Sequence, residues 1–334
     1  MKSDNIRLRL LKVLEILKTQ SDKEHPLSTA DISLKLKKYG IETERRAIYK
    51  DIEALELAGL DIILTGTPKK GYYLGSRDFE LPEVCLLIDA VQSAGFVPKQ
   101  STERLISKLQ GLTSIHQAQE IRDRICIENR SKSSNESVYG NIELLNTAII
   151  RQRKVKIKYA KNRLCGTTIT AALKDMVISP YALLWEADHY YLIGNNSKYD
   201  NLTHLRVDRI AEISIARERS RHFSEVSEYS QRFDTADYAR KTFNMFGGEI
   251  CRIDLECKVG LLDQIIDKFT DGIFIRHTKG EETFRFSTDA LVSDGLVGWL
   301  MQFGGDIMVL SPESLRQSVL QKARNLTAIY ENNK

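Results

Sequence analysis

Five cysteines in 334 residues are few and odd in number, and no two form a Cys-x-x-Cys pair. A disulfide framework needs even pairing and a zinc site needs close thiol spacing. Cys85, Cys126, Cys165, Cys251 and Cys257 therefore read as reduced intracellular thiols, mostly packed as small hydrophobes. No apolar run approaches about 18 residues, and the N-terminus has no signal-peptide core, so a cytoplasmic protein with no membrane partner is expected. Missing too are a nucleophile-elbow glycine pattern, a His-x-x-x-His spacing and a cofactor phosphate loop. His204 with Cys165 or Ser179 is a base–nucleophile pairing that nothing in the spacing supports. The expectation is a protein that is not an enzyme, with no catalytic residues, metal site or cofactor. The net charge of +4 is mild and permits a nucleic-acid partner without arguing for one.

What is present is a globular composition, 42% hydrophobic and 28% charged, in a chain long enough for about two to four domains. At the N-terminus, Ile6, Leu10, Val13, Leu14 and Leu17 recur at helical spacing. Ser28 can cap a second helix with Asp31 three residues on; Ile32, Leu36 and Tyr39 give it one face, and Gly40 ends it. Thr43 caps a third helix running to Ala58, with Ile48, Ile52 and Leu55 as its buried stripe. Arg46, Tyr49 and Lys50 lie roughly opposite that stripe, with Arg45 on its flank. A β-hairpin follows, with Pro68, Lys69 and Lys70 in its turn. This order is helix-turn-helix plus wing. Arginine suits guanine's O6/N7 pair, and lysine and tyrosine hold phosphates. Composition alone would not flag the unit, which has 14 Lys/Arg against 11 Asp/Glu over residues 1–75.

Two amphipathic helices are expected next. One carries Leu81, Val84, Leu87, Ile88 and Val91; the other, over 101–112, carries Leu105, Ile106, Leu109 and Leu112. They suit a dimer interface or an interdomain bundle equally. Residues 115–127 read as weakly structured and 129–137 as a polar linker.

The central stretch begins with a helix opened by Asn141, with Ile142, Leu145 and Ile149 as its stripe. It leads to an alternating run, with Val155, Ile157 and Tyr159 inward and three lysines outward. Seven basic residues and no acid lie between Arg151 and Arg163, which reads either as an edge strand guarded by lysine or as a basic surface that receives phosphate. Two β-rich runs, YALLW and HYYLIG, flank a turn at 186–188. His204 and Arg206 then share one strand face, with Arg209 close behind. Trp185 reads as core, and Asp208 as an orienting partner for an arginine.

Pro180-Tyr181, Tyr190-Tyr191-Leu192 and Leu205-Arg206-Val207-Asp208-Arg209-Ile210 resemble, in order, the signature of the WYL domain, with Tyr190 where that family has tryptophan. The resemblance implies a small SH3-like barrel that senses a ligand inside bacterial transcription regulators. In some members the pocket is thought to receive nucleotides or single-stranded nucleic acid. It makes Ser179, Tyr191, His204, Arg206 and Arg209 candidate ligand contacts. The N-terminal unit resembles the winged helix of the same regulators through Arg45, Arg46, Ile48, Tyr49, Lys50, Asp51, Ile52 and Leu55, with Ala47 and Lys50 where threonine and arginine are usual.

Residues 240–334 read as β-α-β-β-α-β, with strands at 250–255, 272–276, 282–287 and 306–310, helices at 261–269 and 293–303, a turn at Lys279-Gly280, and a last helix from Pro312. Their position resembles the extension that follows many WYL domains. The expected fold is α+β and multidomain: a winged helix-turn-helix (1–76), a helical connector (77–140), a central SH3/Sm-like β-barrel (141–220) and a C-terminal ferredoxin-like domain (240–334), with 221–239 assigned to neither neighbour. The expected function is a DNA-binding transcriptional regulator. Its DNA contacts are Arg45, Arg46, Tyr49, Lys50, Lys69 and Lys70, its partners double-stranded operator DNA and a phosphate-bearing effector, and its state a homodimer. The competing reading is a nucleic-acid-binding accessory protein of a defence or DNA-repair system.

Overall fold

Ser28 starts its helix by satisfying amides that the first turn leaves open. Its hydroxyl accepts from the Asp31 amide, and the Asp31 carboxylate accepts from the Ser28 amide at 3.0 Å. The computed structural model describes residues 2–124, 132–186, 188–269, 273–277 and 280–331. It is a mixed α+β structure with several sheets, in two compact units, Met1–Ser134 and Asn135–Lys334.

In the first unit, α1 (Lys2–Gln20) buries Val13, Ile16 and Leu17. Against them, α2 (Thr29–Lys37) buries Ile32 and Leu36, and α3 (Arg45–Leu57) buries Ile48, Ile52 and Leu55. The i, i+3/i+4 spacing brings each set to one face, so the three helices share a core. Arg9 on α1 reaches buried Asp51 on α3 through two hydrogen bonds, 2.6 and 3.0 Å, locking the helices together. β1 (Ile62–Thr65) and β2 (Gly71–Leu74) pair antiparallel, Ile62 opposite Leu74 and Thr65 opposite Gly71. Tyr72 exchanges two main-chain bonds with Leu27, and a Cβ on Gly71 would lie 2.7 Å from the Leu27 carbonyl carbon, so glycine is required there. Ile6 is exposed, and so is Tyr39, because α2 ends at Lys37 and its periodicity with it.

Three helices follow where two were expected: α4 (Leu81–Ser93), α5 (Lys99–Gln110) and α6 (Ile115–Arg124). Val84, Ile88, Ile106 and Ile121 form their core. α6 corrects the weakly structured reading of 115–127; its one buried anchor, Ile121, is too sparse a pattern to announce a helix. Residues 125–127, with Cys126, lie outside the described residues. So do 129–131 of the expected linker. Lys132 is anchored: its Nζ donates to the carbonyls of Val91, Gln92 and Ala94 at the C-terminal end of α4.

The second unit opens with α7 (Val138–Ile150), which begins three residues before the expected Asn141. Val138, Leu145 and Ala148 are its fully buried anchors, and Asn141 donates to the Ile210 carbonyl at 2.8 Å. α7 packs on a five-stranded antiparallel sheet made of β3 (Arg153–Cys165), β4 (Thr168–Glu186), β5 (His189–Asn196), β6 (Thr203–Arg206) and β7 (Ile210–Arg219), in the order β6-β5-β4-β3-β7. The closed barrel expected here is absent. β6 and β7 are the two ends of an open sheet, no ladder joins them among the described residues, and the chain passes between them through a 3₁₀ turn at Val207–Arg209. As far as Tyr159, β3 lies between β4 and β7, so Lys154, Lys156 and Lys158 do not guard an edge strand; beyond Tyr159 its outer side is open. At the β4–β5 turn Asp188 has φ of 60°; Ala187 lies outside the described residues.

A second, four-stranded sheet has the order β11-β8-β10-β9, from β8 (Glu249–Lys258), β9 (Phe274–Arg276), β10 (Thr283–Val292) and β11 (Ile307–Ser311). Before it comes the short α8 (Thr235–Lys241). α9 (Leu262–Phe269) and α10 (Asp294–Met301) alternate with the strands, and α11 (Glu313–Glu331) follows them. Ile253, Leu255, Phe284, Phe286, Leu296 and Leu300 are central to its core. The expected strand residue Gly272 and turn residue Lys279 lie outside the described residues.

The segment 221–246, largely unassigned in the sequence, is the main departure. Phe233, Tyr238 and Met245 are buried against Tyr181, Ala182 and Ile193 of the first sheet, and Leu291 of the second joins the same cluster. Phe243 enters the core of the second sheet.

Candidate functional site

α3 presents its candidate contacts as the periodicity requires. With Ile48, Ile52 and Leu55 inward, Arg46, Tyr49 and Lys50 are exposed. The helix N-terminus carries an unusual charge arrangement. Its N-cap is Glu44, not the expected Thr43; no side chain caps it, and its first turn holds Arg45 and Arg46 with no acid. Cations at the positive end of a helix dipole are unfavourable, whereas an anion there would meet open amides and two guanidinium groups. Arg45 is partly committed, its Nε donating to Thr29 Oγ1 at 3.1 Å. Lys69 is also committed, paired with the capping Asp31 at 3.1 Å, and Lys70 is exposed. Tyr49 meets Tyr72 of β2 edge-on, centroids 6.4 Å apart, which ties the helix face to the hairpin.

On the first sheet, register decides which candidates meet. Tyr191 pairs across strands with Arg206, and Ile193 with His204, placing Tyr191, His204 and Arg206 on one face. Arg206 grips Asp208 through two bonds, Nε–Oδ1 at 3.0 Å and Nη2–Oδ2 at 2.6 Å, and its amide donates to the Tyr159 hydroxyl. Arg209 forms no ion pair among the described residues and acts electrostatically on Tyr191 and His189. His189 is a residue that sequence reasoning missed. Its Nδ1 is buried without a hydrogen-bond partner, and burial, then the two arginines, lower its pKa. Alternation could have found it, since it lies two residues before Tyr191 on the same strand face.

Of the other two candidates, Ser179 is sealed and His204 is largely covered. His204 lies under α8, its Nε2 sharing a 2.8 Å hydrogen bond with the Tyr238 hydroxyl. Burial lowers its pKa to about 4, with a hydrogen bond to the Met245 main chain acting the other way. Ser179 is 1% exposed and accepts from the Arg221 amide at 3.0 Å. Trp185, expected in the core, is 45% exposed, because it stands at the far end of β4 opposite Tyr190. Lys156 and Lys158 line a separate cleft of about 620 Å³ with Lys174, Lys198 and Tyr199, and Lys158 is paired with Glu212 at 2.8 Å. By register Lys156 and Lys158 share the sheet face of Ser179 and His204, but the chain at 199–201 and Arg221 pack over the intervening Ser179 and Asn195. Among the described residues no group of three or more His, Cys, Asp or Glu side chains could hold a metal, and no helix is long and apolar enough to cross a membrane.

Residues 140–215 match the WYL domain and residues 251–327 the WCX domain, so the chain carries a WYL domain followed by a WCX domain. It is similar to the uncharacterized HTH-type transcriptional regulator YobV of Bacillus subtilis (strain 168), 22% identical over 305 residues that cover 87% of this chain and 91% of the relative. Among solved structures it is similar to the proteasome accessory factor B/C (PafBC) of Arthrobacter aurescens, with 16% identity and a TM-score of 0.28. That match covers 93% of this chain but spans only 47% of the PafBC chain. A CRISPR Cas-related protein matches with 12% identity and a TM-score of 0.34, covering 99% of this chain and 86% of the other.

Proposed function

We propose that the chain is a DNA-binding transcriptional regulator, with a winged helix-turn-helix (1–76), a helical connector (77–140), an SH3/Sm-like WYL domain (141–220) and a ferredoxin-like extension (240–334). The observation that carries the DNA reading is the exposed face of α3 with its uncapped, arginine-bearing N-terminus. Phosphate would complete that helix end, while Arg46 reads a base edge and Tyr49, Lys50 and Lys70 hold the backbone. Arg45 and Lys69, held by Thr29 and Asp31, position the helix and the hairpin as much as they touch DNA. Two copies pair to read a two-fold operator.

The input is a phosphate-bearing effector, a nucleotide or single-stranded nucleic acid, entering beside Tyr191, His189, Arg206 and Arg209. Arginine forks match phosphate oxygens. Arg206 already holds Asp208 and His204 is under Tyr238, so the ligand competes with contacts inside the protein. It must favour the uncovered arrangement over the covered one, because equal affinity for both shifts nothing.

Sequencing the DNA recovered with the protein tests the output. One or a few palindromic promoters support regulation, whereas length-dependent, sequence-blind binding favours an accessory protein of a defence or repair system. Arg46→Ala should lower operator affinity roughly 10- to 100-fold in a gel shift, as for loss of one bidentate base contact. Unchanged binding would remove α3 from the reading surface. Arg206→Ala should keep basal operator binding and abolish the response to effector.

A further inference from the structure

The β3–β4 hairpin outgrows its sheet. β7 follows β3 only as far as Tyr159, opposite Ile210, and β5 joins β4 only from Ile178 onward. Residues 160–165 and 168–173 therefore pair with each other alone, from Ala160 opposite Leu173 to Cys165 opposite Thr168, around a turn at Gly166 with φ of 62°. Every described side chain from 161 to 175 except Ala172 is exposed. A free two-stranded ribbon is marginal in water, so its composition shows what it is kept for.

Register sorts the ribbon into two faces. Lys161, Arg163, Thr168, Thr170 and Lys174 fall on one; Asn162, Leu164, Ala171 and Leu173 fall on the other. Lys161, Arg163 and Lys174 form no ion pair among the described residues. Asp175, the first acid after Glu143, lies on the opposite face near Lys158, so nothing on the arm neutralises the basic side. Lys158, earlier on the same strand, is by contrast paired with Glu212.

The geometry points to this arm as a second nucleic-acid contact, laying its basic, hydroxyl-bearing face on the phosphates of duplex DNA. Duplex is favoured because the arm offers cations and threonine hydroxyls on a flat strand pair, with no aromatic side chain on which a single-stranded base could stack. A two-stranded ribbon is also narrow enough to enter a major groove. This contact is independent of α3 and does not need the recognition-helix reading to hold.

The test uses the full chain. K161Q/R163Q/K174Q is compared with wild type for binding to a random-sequence duplex, by fluorescence anisotropy across a salt series. A K99Q/K108Q/R324Q variant removes equal charge elsewhere, and circular dichroism confirms that each variant is folded. Three lost phosphate contacts should flatten the slope of log K against log salt by roughly 2.7 and weaken low-salt binding at least about tenfold. The charge-matched control should keep the wild-type slope. An unchanged slope in the arm variant, an equal loss in the control, or a loss seen with single-stranded DNA alone would each overturn the proposal. Arg46→Ala, measured on the recovered operator, separates the two surfaces. If it leaves operator binding intact while the arm variant weakens binding to the random duplex, the recognition-helix reading fails and the arm stands.

Discussion

At the residue scale, His204 shows how a side chain fit for phosphate can be placed where it meets none. Buried beside Tyr238, it stays neutral, with a pKa lowered to about 4. The unfolded chain takes up this proton first, as pH falls below the ordinary histidine value, and the folded protein follows only near 4. Stability from His204 is thus intact at neutral pH and declines from about pH 6.5 to about 4, by roughly 3 kcal/mol in all. Urea midpoints of wild type and His204→Gln across that range should converge as pH falls; parallel curves would contradict the burial. Two ion pairs of the first unit give a second comparison. Asp51→Ala strands Arg9 in a largely buried position and should destabilise by roughly 2–4 kcal/mol. Lys69→Ala removes an exposed pair with Asp31 and should cost about 0–1 kcal/mol in the same denaturation experiment.

At the element scale, legibility followed local periodicity. Ile48, Ile52 and Leu55 announced the buried face of α3, and with it the exposure of Arg46 and Lys50, because helix geometry alone sets both. Ser28 and Asp31 announced the start of α2 for the same local reason. The cover on the WYL sheet was not legible. Phe223, Tyr229, Phe233 and Tyr238 follow neither a period of 2 nor a sustained period of 3.6, and they take their places by packing on a sheet formed earlier in the chain. Alternation likewise put Trp185 on a sheet face without saying where the covering layer ends. Tyr238→Ala should therefore uncover His204 and Ile193 while leaving the β5–β6 register intact. It should lower the unfolding midpoint by the equivalent of roughly 3–5 kcal/mol, as for loss of a large buried aromatic, and move His204 toward the ordinary histidine pKa in an NMR titration.

At the scale of the whole molecule, the two compact units have separate cores, the first built on α1–α3 with the small α4–α6 cluster, the second on two sheets. Separate cores unfold with separate midpoints unless coupled, so calorimetry should give a measured enthalpy above the van't Hoff value; equality would mean one cooperative block. Within the second unit, Tyr238 covers the first sheet while Phe243, five residues on, sits in the core of the second. So short a covalent tether makes the two burials interdependent. Whatever loosens the grip on Phe243 lowers the work of lifting Tyr238, and a ligand that lifts Tyr238 weakens that grip in return. Under the proposed function, the second sheet would act as a counterweight, setting how tightly an effector must bind before the cover yields.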